Sequence, residues 1–173
     1  TTAYAFPIGK GGVYRPATVT PVSADASSYT AEYFNSAAGN TTSVTNPVTS
    51  VSTSEYWIID RASGANATVT LAYDNTKTTA WSNSGAPDVS QDICVAHFVG
   101  GSWIEEAGTT GTTILGDQTS GNVTSQELGS FSPFTFGLKP HGVTPVRFIS
   151  FNATSVNGQT KLVWSTTNEV NIA

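Results

Sequence analysis

Residues 145–173 have the sequence PVRFISFNATSVNGQTKLVWSTTNEVNIA. The β-branched and aromatic run Val146–Phe151 predicts a strand, and so does the polar and apolar alternation in Thr160–Ser165. Asn157-Gly158 between them is a strong hairpin dipeptide. An isolated two-stranded hairpin is at best marginally stable in water, and its outer backbone groups need partners. We therefore predict that this hairpin pairs with a further strand, from the same subunit or from a neighbour.

The rest of the chain predicts strands and turns, with almost no helix signal. Ala67, Val69, Leu71 and Tyr73 occupy alternate positions, as in a strand with one buried face. Glycine-containing turns separate such segments at the spacing typical of a sandwich. The predicted strands are Tyr4–Ile8, Val13–Thr20, Ser28–Phe34, Glu55–Asp60, Ala65–Tyr73, Asp92–Val99, Ser102–Glu106, Asn122–Leu128, Phe134–Leu138, Val146–Ala153 and Gln159–Ser165. The predicted fold is an all-β antiparallel β-sandwich, immunoglobulin-like or jelly-roll-like, with a C-terminal β-hairpin extension.

The sequence also predicts how the chain is divided. Residues 1–138 form the main sandwich, and within them 37–54 is a hydroxyl-rich long loop or irregular edge. Residues 139–145, KPHGVTP, contain two prolines and a glycine, which interrupt strand pairing and predict an extended linker. Residues 146–173 form the hairpin, which a neighbouring subunit could receive.

The composition is typical of a secreted β-protein. Only 11% of the residues are charged, the net charge is −5, and Ser and Thr make up about a quarter of the chain. Seven scattered cations argue against nucleic acid as a partner. No apolar stretch reaches the roughly 20 residues of a membrane helix, so no membrane span is predicted. Cys94 is the only cysteine, which excludes an intrachain disulfide, and its apolar surroundings predict a buried side chain.

The few titratable residues do not form a recognisable catalytic or metal-binding pattern. His97 and His141 are the only histidines, and neither has further ligands at zinc spacing. Glu105-Glu106 lie on a predicted strand, so their carboxylates should point to opposite faces. A glycosidase pair would then need a partner such as Asp60 or Asp92, and solvated acids at a strand end are the simpler interpretation.

Calcium would need denser acidic spacing than the chain offers at Asp88, Asp92 and Asp117. The sequence predicts no catalytic residue, no metal site and no cofactor.

The tryptophans divide into two groups. Trp57, Trp103 and Trp164 lie in strand patterns that suit a sandwich core. Trp81 lies in a predicted loop, AWSNSG, and is the candidate ligand-binding aromatic. Arg15 and Arg61 each lie beside an aromatic strand, where a guanidinium can stack on a ring or pair with a carboxylate, and we expect both to be structural.

Six blocks of the chain carry a resemblance to known domains. They are Phe6–Gly9, Tyr14–Pro16, Glu55–Arg61 and Ser132–Gly137, and then Pro145–Phe151 and Leu162–Asn171. The first four resemble a recurring β-domain of large secreted surface proteins of Bacteroidetes, which precedes a C-terminal region exported by the type IX system. The last two resemble the first strands of the immunoglobulin-like or fibronectin-like domain that follows it. The resemblance implies an extracellular, cell-surface protein and no particular activity. The chain holds two strands of the second domain, so either it is processed there or the hairpin has another use.

These observations predict an extracellular structural subunit of a self-assembling fibre or layer. One subunit's hairpin would complement a strand edge of the next, in a head-to-tail homopolymer. The predicted assembly residues are Phe148, Phe151, Leu162 and Trp164. A carbohydrate-binding or adhesion module of a larger secreted protein, with surface polysaccharide as its partner, is the first alternative, and a secreted hydrolase is the second.

Overall fold

The computed structural model describes residues 1–74, 91–106, 113–116, 120–140, 147–156 and 158–167. These residues form strands paired in antiparallel ladders, and no helix occurs among them. The chain divides into two compact units, Thr1–His141 and Gly142–Ala173.

The first unit contains two large sheets. The first sheet has the order β1 (Tyr4–Phe6), β4 (Ala17–Pro21), β8 (Ala67–Asp74), β12 (Ser120–Thr124) and β11 (Thr113–Gly116). The second sheet has the order β10 (Ser102–Ile104), β9 (Gln91–Val99), β13 (Phe134–Pro140), β7 (Tyr56–Ser63) and β5 (Ser28–Phe34). Three short strands complete the unit: β6 (Ser50–Val51) pairs with β13, and β2 (Gly9–Lys10) pairs with β3 (Val13–Tyr14).

The side-chain alternation of β8 creates the inner face of the first sheet. Ala67, Val69 and Leu71 are fully buried and Tyr73 is nearly so, while the residues between them are half-buried. Successive side chains of a strand point to opposite faces, so a period of two in the sequence gives one apolar face. The alternation predicted from the sequence is therefore confirmed.

The two sheets pack face to face around one apolar core, which confirms the antiparallel sandwich. Trp57 on β7 is at its centre and is fully buried. Its ring lies 5.2 Å from that of Tyr33 on β5 and 5.1 Å, edge-on, from that of Phe136 on β13. Full burial of one such side chain stabilises the fold by roughly 1.5–3 kcal/mol. The predicted core position of Trp57 is confirmed.

A buried ion pair joins the start of β4 to the start of β7. Arg15 Nε lies 2.7 Å from Glu55 Oε2, and each residue is only 1% exposed. The Tyr33 hydroxyl donates to the same carboxylate oxygen at 3.0 Å, and the Arg15 guanidinium also donates to the Asp74 carbonyl at 2.9 Å. Burial raises the pKa of Tyr33 above its ordinary value, and the negative Glu55 raises it further. Buried charges need such partners, so Arg15 has the structural contacts that its sequence context predicts.

Arg61, near the C-terminal end of β7, contacts two loops. Its guanidinium donates to the carbonyls of Ala65 at 2.8 Å and Gly129 at 2.9 Å, and lies 4.9 Å from the centre of the Phe131 ring. Stacking on an aromatic ring is one of the two contacts expected for this arginine from the sequence.

Part of the loop in residues 37–54 folds over the outer face of the second sheet and forms a smaller core. Val48, Val51 and Trp103 are buried there together with Cys94 and Ala96. The predicted burial of Cys94 is confirmed. Trp103 is also buried, but in this outer core and not between the two sheets, where it was expected.

Gly137 on β13 allows this close approach. A Cβ atom at Gly137 would lie 2.9 Å from the Cys94 sulfur and 3.3 Å from a methyl carbon of Val48. A larger residue would therefore force the side chains of Cys94 and Ala96 on β9, and that of Val48 in the loop, to shift.

Several features differ from the sequence predictions, such as the division of the predicted strand Val13–Thr20 into β3 and β4. Residues 113–116 form β11, in a region where the sequence predicts no strand. The segment is too short to show a strand pattern, and it is held by hydrogen bonds to β12. Lys139 and Pro140, assigned to the linker, are the last residues of β13, where a terminal proline is tolerated. Trp164, expected in a core, is 59% exposed because it belongs to the hairpin unit.

Candidate assembly surface

The hairpin consists of β14 (Arg147–Val156) and β15 (Gln159–Thr167), joined by a two-residue connection. Val156 pairs with Gln159 across the connection, and Gly158 has φ +77°. Glycine adopts this left-handed backbone without steric cost, and tight hairpin turns require it. The hairpin predicted from Asn157-Gly158 is therefore present, although Asn157 itself lies outside the described residues.

One face of the hairpin is apolar and exposed. Phe151 lies directly opposite Trp164, and Ala153 lies opposite Leu162, so these residues share a face. Phe151 is 60% exposed, Trp164 59% and Leu162 50%. Three of the four predicted assembly residues are thus together on one open surface, which we call the apolar face.

A bulge in β14 sets the position of the fourth predicted residue. Phe148 pairs with Thr166 and Ser150 with Ser165, so Ile149 is an extra residue with no partner of its own. The position of Phe148 consequently falls on the same side of the ladder as that of Phe151, although the two are three residues apart. Without a bulge, that spacing would place them on opposite sides. The side chain of Phe148 lies outside the described part.

The opposite face of the hairpin is mainly polar. Its exposed residues are Ser150, Asn152, Thr154, Gln159, Lys161, Val163 and Ser165. Val163 is the one large apolar side chain among them and is 49% exposed. From 147 to 167 the sequence contains two basic residues, Arg147 and Lys161, and no acidic residue. The hairpin is therefore basic as well as amphipathic, a property that its large apolar residues alone do not indicate.

Two of the other tryptophans are buried in the described part of the chain. Trp57 and Trp103 are buried, and the Trp103 indole donates to the Asn40 carbonyl at 2.6 Å. Trp81, the predicted ligand-binding aromatic, lies outside the described residues. An apolar pocket of about 270 Å³ is present beside Trp103, where Phe98 and Pro133 form part of its wall.

The two neighbouring carboxylates after β10 have different partners. Glu106 Oε1 lies 3.0 Å from His97 Nδ1, and the His97 ring is buried and stacked on Phe134. Glu105 accepts a hydrogen bond from Lys139 Nζ at 2.6 Å and is only 10% exposed. Both residues lie beyond the end of β10 at Ile104, so the strand alternation predicted for them does not apply, and they are paired rather than simply solvated.

In the described ranges, no group of three or more His, Cys, Asp or Glu side chains is placed to hold a metal ion. The same residues include no helix that is long and apolar enough to cross a membrane.

No protein-family model, curated protein or solved structure matches this chain significantly. The resemblance to the Bacteroidetes surface-protein domain therefore stays a prediction from the sequence.

Proposed function

We propose that the protein is an extracellular structural subunit that assembles into a fibre or layer through its C-terminal hairpin. The apolar face formed by Phe151, Leu162 and Trp164 supports this proposal most directly. Isolated apolar side chains are normal on a protein surface, but a contiguous group on a strand ladder is typical of an interaction site.

The energetics of the hairpin favour a partner. Each of the three side chains would contribute up to roughly 1.5–3 kcal/mol on full burial, and about half of each is still exposed. A two-stranded ladder has two outer edges of unpaired backbone groups and cannot cover its own apolar face. A third strand and an opposing layer from another subunit would satisfy both.

The proposed mechanism is β-strand complementation between copies of the chain. The hairpin of one subunit adds to a strand edge of the next, and main-chain hydrogen bonds together with apolar contacts hold the two together. The contact joins two different surfaces, so it is heterologous. A contact of this kind propagates a filament unless its geometry closes into a ring.

The extracellular, cell-surface location rests on composition and on the resemblance to Bacteroidetes surface proteins. A surface covered mainly by hydroxyl groups, with 11% charged residues, suits a secreted structural protein. Stability in this chain comes from packing and buried polar contacts, since the single cysteine cannot form an intrachain disulfide.

Sedimentation velocity of the full chain over a wide concentration range tests the proposal. We expect the weight-average sedimentation coefficient to rise with concentration, and electron microscopy to show filaments or sheets. A chain that stays monomeric at every concentration and salt tested would overturn the proposal.

A matched pair of variants locates the surface. Phe151→Ser combined with Trp164→Ser removes the centre of the apolar face and should abolish association. Val163→Ser removes a comparably exposed side chain from the opposite face and should leave association largely unchanged. Equal effects of the two variants would argue against the apolar face as the contact.

The amphipathic hairpin also favours a second candidate function, as part of a carbohydrate-binding or adhesion module in a larger secreted protein. Two adjacent strands with one apolar and one polar face are what the first strands of an immunoglobulin-like domain provide. In that case further strands of the same polypeptide would cover Phe151 and Trp164. A monomeric full chain that is stabilised by adding the missing strands would support this alternative.

A further inference from the structure

The second sheet ends in a long strand edge. β5 contains seven residues and forms a ladder, among the described strands, with β7 alone. The short strand β2 lies close to β5 without pairing with it, and Lys10 of β2 contacts Glu32 and Phe34. The edge strands at the other ends of the two sheets are β1, β10 and β11, with three, three and four residues. A long edge strand presents a row of backbone donors and acceptors to which another strand can add.

The hydrogen bonding of β7 shows which residues of β5 face this edge. The Ile59 N–H donates to Ser132 Oγ at 2.9 Å, on the side of β7 that faces β13. In an antiparallel ladder the N–H and C=O of one residue point to the same side, and the side alternates along the strand. Ala31, the partner of Ile59, therefore directs its N–H and C=O away from β7, and Tyr33 does the same.

The edge of β5 is amphipathic in the same sense as the hairpin. Tyr29 and Tyr33 are buried on the inner face, while Thr30 and Glu32 are exposed on the outer face. In β15, Leu162 and Trp164 alternate with Lys161, Val163 and Ser165. A strand with this pattern can continue the inner apolar layer on one side and the polar outer surface on the other.

The charges of the two surfaces are complementary. Glu32 and Asp60 are exposed on the outer face of β5 and β7. The hairpin brings Arg147 and Lys161 and no acidic residue. Unlike charges across an interface steer association and disfavour the wrong partner. Lys10 pairs with Glu32 at 3.6 Å, but both side chains are more than half exposed, so this contact is easily exchanged.

We infer that the edge of β5 is the acceptor site for β15 of a second copy of this chain. β15 is the donor because it is unbroken over nine residues, whereas the bulge interrupts the ladder-forming backbone of β14. In the complex the apolar face lies on the same side of the sheet as Tyr29 and Tyr33, and Lys161 takes the place of Lys10 beside Glu32. This inference rests on the proposed function, since it names the partner surface of the same hairpin.

Ala31→Pro in the full chain tests the backbone contact. Proline at this position removes an outward N–H and is tolerated on an edge strand, so the variant should fold and stay monomeric. Glu32→Pro is the matched control. The N–H of Glu32 points towards β7 by the same alternation. Glu32→Pro should therefore lose thermal stability in addition to association, whereas Ala31→Pro should lose association alone.

Amide exchange of the unmodified chain gives a second, independent measurement. Exchange at Ala31 and Tyr33 should slow by tenfold or more as concentration rises into the association range, on the order expected when an exposed amide enters a ladder. Exchange at Thr30 should change little, because its N–H is directed towards β7.

Charge-reversal variants test whether Lys161 of one copy lies beside Glu32 of the other. Glu32→Lys and Lys161→Glu should each weaken association by about tenfold, and the double variant should recover most of that loss. Association of Ala31→Pro as strong as that of the unmodified chain would overturn the acceptor site and leave the proposed function standing. Unchanged exchange at Ala31 and Tyr33 during association, or no recovery in the double variant, would overturn it as well. A chain that does not associate at all would overturn both.

Discussion

Arg15 and Glu55 form an ion pair of 2.7 Å that is almost completely removed from solvent. The pair joins segments that are 40 residues apart in the sequence. Neither charge can be stable at this depth without the other, so the two residues act as one structural unit.

Removing one partner of this pair should strongly destabilise the protein. We expect Glu55→Gln to lower the free energy of unfolding by about 3–5 kcal/mol, because Arg15 then keeps an uncompensated buried charge. Urea denaturation measures the effect. Glu32→Gln, which removes the partner of Lys10 at the surface, is the control and should change stability by less than about 1 kcal/mol. Similar losses in both variants would contradict the structural role of the buried pair.

Tyr33 should make the fold sensitive to alkaline pH. Its pKa is raised in the folded protein above the ordinary value of about 10, so the folded state holds this proton more tightly than the unfolded state. The stabilising effect is fully present below pH about 10 and is lost as pH rises above it. Thermal melts between pH 8 and 11 should show this decline, and Tyr33→Phe should show a smaller one. An identical pH dependence in the two proteins would rule out Tyr33 as the cause.

Gly137→Ala should destabilise the outer core of the second sheet. The added Cβ would meet the Cys94 sulfur and the Val48 methyl group, and such overpacking typically lowers stability by about 1–3 kcal/mol. Gly39→Ala is a suitable control, because a Cβ at Gly39 would meet no atom within 4 Å. Calorimetric unfolding of both variants measures the difference. An unchanged stability of Gly137→Ala would show that the neighbouring side chains move without cost and would contradict the prediction.

Arg61→Ala should lower the melting temperature without affecting association. The substitution removes hydrogen bonds to the carbonyls of Ala65 and Gly129 and to Asn66 Oδ1, and the contact with the Phe131 ring. Together these are worth on the order of 1–3 kcal/mol. Sedimentation at a temperature where the variant is folded separates the two effects. Loss of association at unchanged stability would instead place Arg61 in a binding surface.

Long elements with a strict pattern were predictable from the sequence. The alternation in β8 and the apolar run around Trp57 give the correct strands because period and β-propensity agree there. β11 was not predictable, because four residues carry little pattern and the strand depends on pairing with β12.

The candidate surface was predictable in composition but not in geometry. Phe151, Leu162 and Trp164 stand out as large apolar residues on two predicted strands, and the turn sets their register. The bulge that aligns the position of Phe148 with them depends on an extra residue in one strand, and no residue type marks it. The side to which the N–H and C=O of Ala31 point was not predictable either, because it follows from the hydrogen bond between Ile59 and Ser132.

The complete burial of Cys94 makes it a natural reporter of how subunits join. A thiol reagent can reach this sulfur only when the outer loop lifts from β9 and β13, so the labelling rate measures the frequency of that opening. Subunits that dock as folded bodies would keep the thiol protected throughout growth. Subunits that exchange strands of the sandwich itself would expose the Cys94 thiol transiently at each addition. The label would then mark the subunits that had opened.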